Sequence, residues 1–327
     1  MSASRVTFLT GATGFIGGRL ARALAGRGER LRCLVRPGSK AAALRQLGAE
    51  LVEGDITDAN FLAHAVRGAH AAFHLAAMYD VGVVNASEME HVNVGGTQAF
   101  LAAVERERVP RAVYVSTTAA LGPVASGEGD EESQYAGPFP TVYHRTKTEA
   151  HRLAREAQSR GLAVIIVCPA FVYGPGDNGP GGRFIRDVAR GRMPGLLARP
   201  GWYSYVHVDD VVAGLIAALD RGTPGATYVL SGEAMSVNDF AARIAKLANR
   251  RPPPLRMPAG LALATGAALD VLARVTRLRF GISREAVASS AGLRWLHSHE
   301  RATRELGWTP RPLADGLPET VKAVLST

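Results

Sequence analysis

Tyr143 and Lys147 stand four positions apart in "TVYHRTK", residues 141–147. On a helix that spacing places both side chains on one face, so a phenol and an ammonium can point into the same cleft. A phenol with an ordinary pKa of about 10 is a poor base near neutrality, but an adjacent positive charge favours the phenolate and makes it a usable proton shuttle. The choice of lysine is informative, because the chain holds only four, Lys40, Lys147, Lys246 and Lys322, against thirty-four arginines. His144, inside the same stretch, reads as a helix-face residue.

A second group capable of chemistry lies near the start. Gly11, Gly14 and Gly17 follow the strand-like "RVTFLT" directly and open a helical pattern over 15–27. In that context Gly11 permits a tight turn, Gly14 lets backbone approach a pyrophosphate, and Gly17 allows close helix packing, while the helix N-terminus offers free N–H groups to phosphates. A fold of this kind that prefers NAD usually ends its second strand with an acid that bonds the ribose hydroxyls. Here Val35 occupies that place and Arg36 follows, with Ser39 and Lys40 close behind. A guanidinium can grip a 2′-phosphate through charge-assisted paired hydrogen bonds, so NADP(H) is favoured, with NAD(H) kept as the alternative.

These residues need a scaffold, and the first half of the chain describes one. Short β-type runs, "RVTFLT", "RLRCLV", "ELVEG", "AAFHLA" and "RAVYVS", alternate with helical patterns at 15–27, 40–47, 58–67, 90–108 and 143–160. Alternation with short connections reads as a parallel sheet covered by helices on both faces, an α/β, Rossmann-type doubly wound fold. The expected division is residues 1–173 for the dinucleotide-binding domain and 174–327 for a smaller, mainly substrate-binding lobe, with 205–222 returning to the first domain.

Composition bounds the alternatives. With 327 residues and 47% hydrophobic content the chain can bury a large core. Its apolar runs are far shorter than the ~20 residues that span a bilayer, and it opens without the zones of a signal peptide, so a cytoplasmic protein with no membrane span is expected. The net charge of +9 comes from scattered arginines and not from a basic run, which argues against nucleic acid as a partner. Cys33 and Cys168 sit in apolar strand-like runs without metal-ligand spacing, so neither a disulfide nor a metal site is expected. A small-molecule substrate is the expected partner, and a homodimer is left open.

Taken in order, "TGATGFIG" (10–17), "EGDITD" (53–58), "HLAA" (74–77), "NVGGT" (93–97), "VSTTAALG" (115–122), "YHRTK" (143–147), "CPAFVYGPGD" (168–177) and "HVDDV" (207–211) resemble the extended short-chain dehydrogenase/reductase family over nearly the whole chain. Within it, "CLVRPGS" and "ARGRMPG" are closest to dihydroflavonol-reductase-like and hopanoid-associated epimerase-like members. The resemblance implies that Tyr143, Lys147 and Thr117 are catalytic, with Ser116 adjacent and Thr118 a further hydroxyl. Lys147 would also hold the nicotinamide ribose. It further implies a cofactor surface of Gly11, Thr13, Gly14, Phe15, Ile16 and Gly17 in the turn. Arg36, Asp55 and Ile56 would lie at the adenine end and Leu75, Ala76 and Ala77 along the cleft, with Asn93 supporting the active-site helix. Val115, Pro169 and Val172 complete that surface. For Asp55 a plain helix-capping role stands beside this one.

Two departures narrow the chemistry. Sugar dehydratases of the family carry an Asp-Glu pair where this chain has Thr118 and Ala119, so the acid and base for water elimination are missing. Nucleotide-sugar members place an arginine where Tyr203 falls; Arg183 or Arg279 would have to replace it. The expected substrate wall is Met78, Tyr79, Thr117, Phe171, Tyr173, Trp202 and Tyr205, mostly aromatic or apolar, which suits a small organic carbonyl or secondary alcohol. The expected activity is therefore NADP(H)-dependent oxidoreduction. The alternatives are a nucleotide-sugar epimerase and, from a different class, a non-catalytic nucleotide sensor.

Overall fold

The computed structural model describes residues 5–80, 82, 84–276 and 283–326. Six strands, β1 (Val6–Thr10), β2 (Arg30–Val35), β3 (Glu50–Glu53), β4 (Ala71–His74), β5 (Arg111–Val115) and β6 (Val164–Pro169), join a seventh, Thr227–Leu230, in one sheet. Its order is β3, β2, β1, β4, β5, β6 and then Thr227–Leu230, with every neighbouring pair parallel. The order reverses between β1 and β4, and crevices at that point, beyond the carboxyl ends of the strands, are where doubly wound sheets bind ligands.

Strand side chains alternate between faces, and both faces are buried. Leu9, Cys33, Phe73, Val113 and Val167 meet the helices Phe15–Gly26 and Val208–Arg221 on one side. Phe8, Leu34, Ala72, Tyr114 and Ile166 meet Ala59–Val66, Gly96–Arg106 and Val142–Ser159 on the other. Helix Phe15–Gly26 buries Gly17, Leu20, Ala21 and Leu24, the stripe expected of one helical face. The helix expected over 90–108 is interrupted: Ala86–Glu90 leads through a π-helical turn, His91–Gly95, into Gly96–Arg106. Both cysteines are free and buried, and burial pushes each thiol up to about 12, so neither is reactive.

The segment 205–222 divides. Its strand portion belongs to Trp202–His207, the hub of a second sheet that pairs with Phe171–Tyr173, Glu233–Ser236 and Arg294–Trp295. Its helix packs on the main sheet. A third apolar cluster, including Ile185, Tyr205, Phe240 and Leu317, fills the smaller lobe. Among the described residues no helix is long and apolar enough to cross a membrane.

Five histidines, His74, His144, His151, His207 and His297, are buried among the described residues. Burial holds His74 at about 3 and His144, His151 and His297 at about 4, far below the ordinary imidazole value. Each stays neutral when folded but protonates when unfolded, so stability is full above about pH 6.5 and is lost as pH falls toward 4, by roughly 1 kcal/mol per pH unit for each. The melting temperature should therefore be level at about pH 7–8 and fall steeply below about pH 6.5. Equal melting temperatures at pH 5 and pH 8 would contradict this account.

Candidate active site

A single cleft of about 1460 Å³ runs along the switch point and between the two lobes. Gly11, with φ +72°, begins its floor, and a side chain there would come within 2.6 Å of the Ala76 backbone nitrogen. A Cβ on Gly17 would overlap the Gly11 carbonyl oxygen. Gly14 is the N-cap of the following helix and supplies no side-chain cap, so the helix's first N–H groups face the cleft without an internal acceptor. Thr13, Phe15 and Ile16 line the same end, joined by Leu75, Ala77, Val115, Pro169 and Val172 from the strand ends. A turn stripped of side chains beside an uncapped helix N-terminus fits the pyrophosphate of a dinucleotide.

The middle of the cleft is built by β5 and helix Val142–Ser159. Thr141 starts that helix, its hydroxyl accepting from the His144 backbone N–H at 3.2 Å. Tyr143 and Lys147 both reach the cleft, one turn apart. Lys147 is 4% exposed, and its Nζ donates to the Tyr114 hydroxyl and the Val115 carbonyl, both at 3.2 Å. Burial lowers the ammonium's pKa, and the Tyr143 phenol partly offsets this. Burial raises the Tyr143 phenol above its ordinary value, while Lys147 and a hydrogen bond with Thr117 pull it back. Spacing alone shows the neighbouring charge, but desolvation is the larger effect here. Thr117 also accepts from the Ala119 N–H at 3.2 Å, and Thr118 and Ala119 line the wall beside it.

Ser116 borders the cleft, but its hydroxyl is engaged with His151 Nδ1 at 2.9 Å. Asn93 lies outside the lining: its side-chain oxygen accepts from the Met78 N–H at 2.7 Å. Its amide donates to the Met78 carbonyl at 3.1 Å and to Thr146 on the Tyr143 helix at 3.0 Å. The π-helical turn that carries Asn93 aims it at both partners. Met78 therefore contributes held backbone and does not line the cleft. Ala76 likewise contributes its N–H, donated to Thr10 at 3.2 Å.

The far wall is aromatic. Phe171, Tyr203 and Tyr205 line it, their rings in mutual contact at 5.0 to 6.4 Å, and the Tyr79 ring lies 4.6 Å from that of Tyr143. Besides Met78, two residues expected in this wall are elsewhere. Strand alternation puts Trp202 on the face opposite Tyr203 and Tyr205, under the guanidinium of Arg294. Tyr173 lies deeper, 1% exposed, against His207 and Phe240 in the lobe core. Sequence reasoning missed Tyr114, His151 and Trp295; the last lines the cleft with its ring 4.6 Å from His144, which is buried there and is more than a helix-face residue. Arg36 is exposed at the end of β2, where its carbonyl accepts from the Ser39 N–H at 3.0 Å, and Lys40 lines the cleft nearby. Asp55 bonds the backbone and hydroxyl of Thr57, both at 2.9 Å, and the helix cap itself is Asp58. Ile56 packs on Gly96. Arg183 faces the cleft but is paired with Asp80 at 2.9 Å; Arg279 is outside the described residues.

The family model for the NAD dependent epimerase/dehydratase family matches residues 7–231. The chain belongs to that family. It is 35% identical over 314 residues to sterol demethylase protein B of Methylococcus capsulatus, covering 93% of each chain. It is 32% identical to a 3 beta-hydroxysteroid dehydrogenase/Delta 5→4-isomerase of Mycobacterium tuberculosis, covering 76% of this chain and 71% of that one. The crystal structure of gox2253 superposes with a TM-score of 0.84 at 33% identity, covering 99% of this chain and 98% of the other. Membership of the epimerase/dehydratase family makes this an NAD(P)-dependent enzyme of the extended short-chain dehydrogenase/reductase type.

Within this family member, Tyr114 is the partner that keeps the Lys147 ammonium in place. Tyr114→Phe leaves the ring but removes the hydroxyl, a charged hydrogen bond worth roughly 1.5 kcal/mol or more. Dinucleotide affinity, measured by calorimetry, should weaken about tenfold. Unchanged affinity would mean that the Val115 carbonyl alone suffices.

Proposed function

We propose that the protein is an NADP(H)-dependent oxidoreductase interconverting a carbonyl and a secondary alcohol on an apolar organic substrate. The observation that carries this reading is the convergence of Tyr143, Thr117 and Lys147 on one cleft, between a phosphate-compatible glycine turn and an aromatic wall. When bound, a nicotinamide dinucleotide supplies or takes up the hydride at the substrate carbon. In the reductive direction Tyr143 gives its proton to the carbonyl oxygen as charge develops there, and the Thr117 hydroxyl steadies that oxygen. The resulting phenolate is stabilised by Lys147 until solvent returns a proton. Because burial raises the phenol's pKa, Tyr143 is protonated at neutral pH, the state a reductase needs. Lys147 and the turn align the dinucleotide, and the aromatic wall excludes water.

The similarity to a 3 beta-hydroxysteroid dehydrogenase/Delta 5→4-isomerase supports an apolar substrate in preference to a nucleotide sugar. Arg36 supports NADP(H), since it follows β2 directly, next to the sequence position where an acid would otherwise select NAD.

Tyr143→Phe should reduce turnover roughly 100-fold or more while dinucleotide still binds, read from steady-state NADPH oxidation and calorimetry. Near-normal turnover on an authenticated substrate would remove Tyr143 from the mechanism. The unmutated protein should bind NADPH more tightly than NADH, and Arg36→Ala should narrow that gap about tenfold to a hundredfold. Equal affinities before mutation, or stoichiometric NAD released from freshly denatured protein, would favour an epimerase.

A further inference from the structure

Beyond Tyr203 the cleft continues into the smaller lobe, further than a small carbonyl compound needs. The whole cleft, about 1460 Å³, also takes in the glycine-turn end assigned to the dinucleotide, and the part beyond Tyr203 lies at its other end. The extension lies between the paired strands Gly195–Leu197 and Leu255–Met257 and the helix Ala259–Thr276, and is lined by Met193, Leu196, Leu255, Met257, Ala262 and Leu269. Ala262 and Leu269 share one face of that helix with Gly266, where a side chain would approach the Arg284 backbone nitrogen to 2.6 Å, so helix and chamber are held closely. The helix is apolar on its outer face too, with Leu261 59% and Leu272 45% exposed. Leu255 lines the chamber while 58% exposed, so an apolar path reaches the surface.

Charge narrows the occupant. The lysines and arginines lining the cleft among the described residues are Arg19, Arg22 and Lys40 near the glycine turn, Lys147 at the centre, and Arg183, paired with Asp80. Among the described residues, the charged side chains bordering the chamber are Asp187 and Asp270. Carboxylates repel a diphosphate, whereas an uncharged hydrocarbon meets no such repulsion.

We infer that this chamber receives a long lipophilic body: the substrate is an uncharged ketone or secondary alcohol whose oxygen meets Tyr143 and whose extended hydrocarbon passes Tyr203 into the space under the Ala259–Thr276 helix. The inference rests on the oxidoreductase reading for the position of the oxygen, and it replaces the small substrate expected from sequence.

The test uses the full chain with NADPH and a series of methyl ketones of increasing chain length. kcat/KM should rise about fourfold per added methylene over successive carbons, the value of burying each one, until the chamber is full. Ala262→Trp fills the chamber and should lower the long-to-short ratio of kcat/KM at least tenfold, with NADPH affinity reporting that the fold is intact. Leu269→Trp provides the second variant should the first not fold. A flat chain-length series, or a ratio unmoved by both substitutions, overturns the inference. If no ketone is reduced, the oxidoreductase reading is the one in difficulty, and the chamber is tested by calorimetry with secondary alcohols on the NADP-loaded protein. Chain-length-dependent affinity that Ala262→Trp weakens sustains the chamber. Length-independent affinity, or tight binding only of a nucleoside-diphosphate sugar, refutes it.

Discussion

Taking an ammonium out of water is costly unless acceptors replace the lost hydration, and Lys147 is the point at which this protein meets that cost. Its Nζ lies under 4% exposed surface between the Tyr114 hydroxyl and the Val115 carbonyl. Both acceptors belong to β5, whereas the lysine belongs to helix Val142–Ser159, so satisfying the charge locks that helix to the strand in one register. Tyr143, one turn earlier, is thereby set beside Thr117 at the strand's end. Ser116 and His151 add a second tie two turns into the helix, at 2.9 Å. The placement of Tyr143 beside Thr117 thus follows from the need to solvate one buried charge with protein groups.

The same strand belongs to a polar seam that crosses the sheet. His74 lies stacked between Phe100 and Tyr114, bonds Thr10 at 2.8 Å and faces Thr97 at 3.3 Å. Thr10 in turn accepts from the Ala76 N–H at 3.2 Å, immediately beside the glycine turn. The turn and the Tyr143 helix are therefore connected through buried, satisfied polar groups, which hold position more sharply than apolar packing does. Keeping His74 neutral is part of that arrangement, since a second positive charge near Lys147 would be repelled.

The smaller lobe closes the other side with a second sheet and helices. Trp202–His207 collects three partner strands and turns Tyr203 and Tyr205 toward the cleft. Glu285 links this lobe to the first, accepting from the N–H of Gly82 at 3.3 Å and of Val142 at 3.4 Å, at the very start of the Tyr143 helix. The Arg183–Asp80 pair makes a similar link at the rim. Most of the aromatic and apolar lining beyond Tyr203 thus comes from the smaller lobe, whereas Tyr143, Lys147 and Thr117 come from the first.

Much of this was readable without coordinates, for a physical reason. The glycine turn, the helix beginning at Phe15, the parallel strands and the Tyr143–Lys147 pairing depend on periodicity and spacing over a few residues, and such patterns are written locally. So was the lack of an acid pair at Thr118 and Ala119. Allocation of the substrate wall was not: alternation along one strand separates Trp202 from Tyr203 and Tyr205, and depth in the lobe takes Tyr173 away, yet all four look alike as aromatic residues near a motif. Tyr114, His151 and Trp295 join the site by packing across distant segments, and Asn93 acts through a π-helical turn that no local pattern announced. The sign of the Tyr143 shift belongs to the same class, because the neighbouring charge is visible in the spacing whereas desolvation exists only once the lobes enclose the phenol.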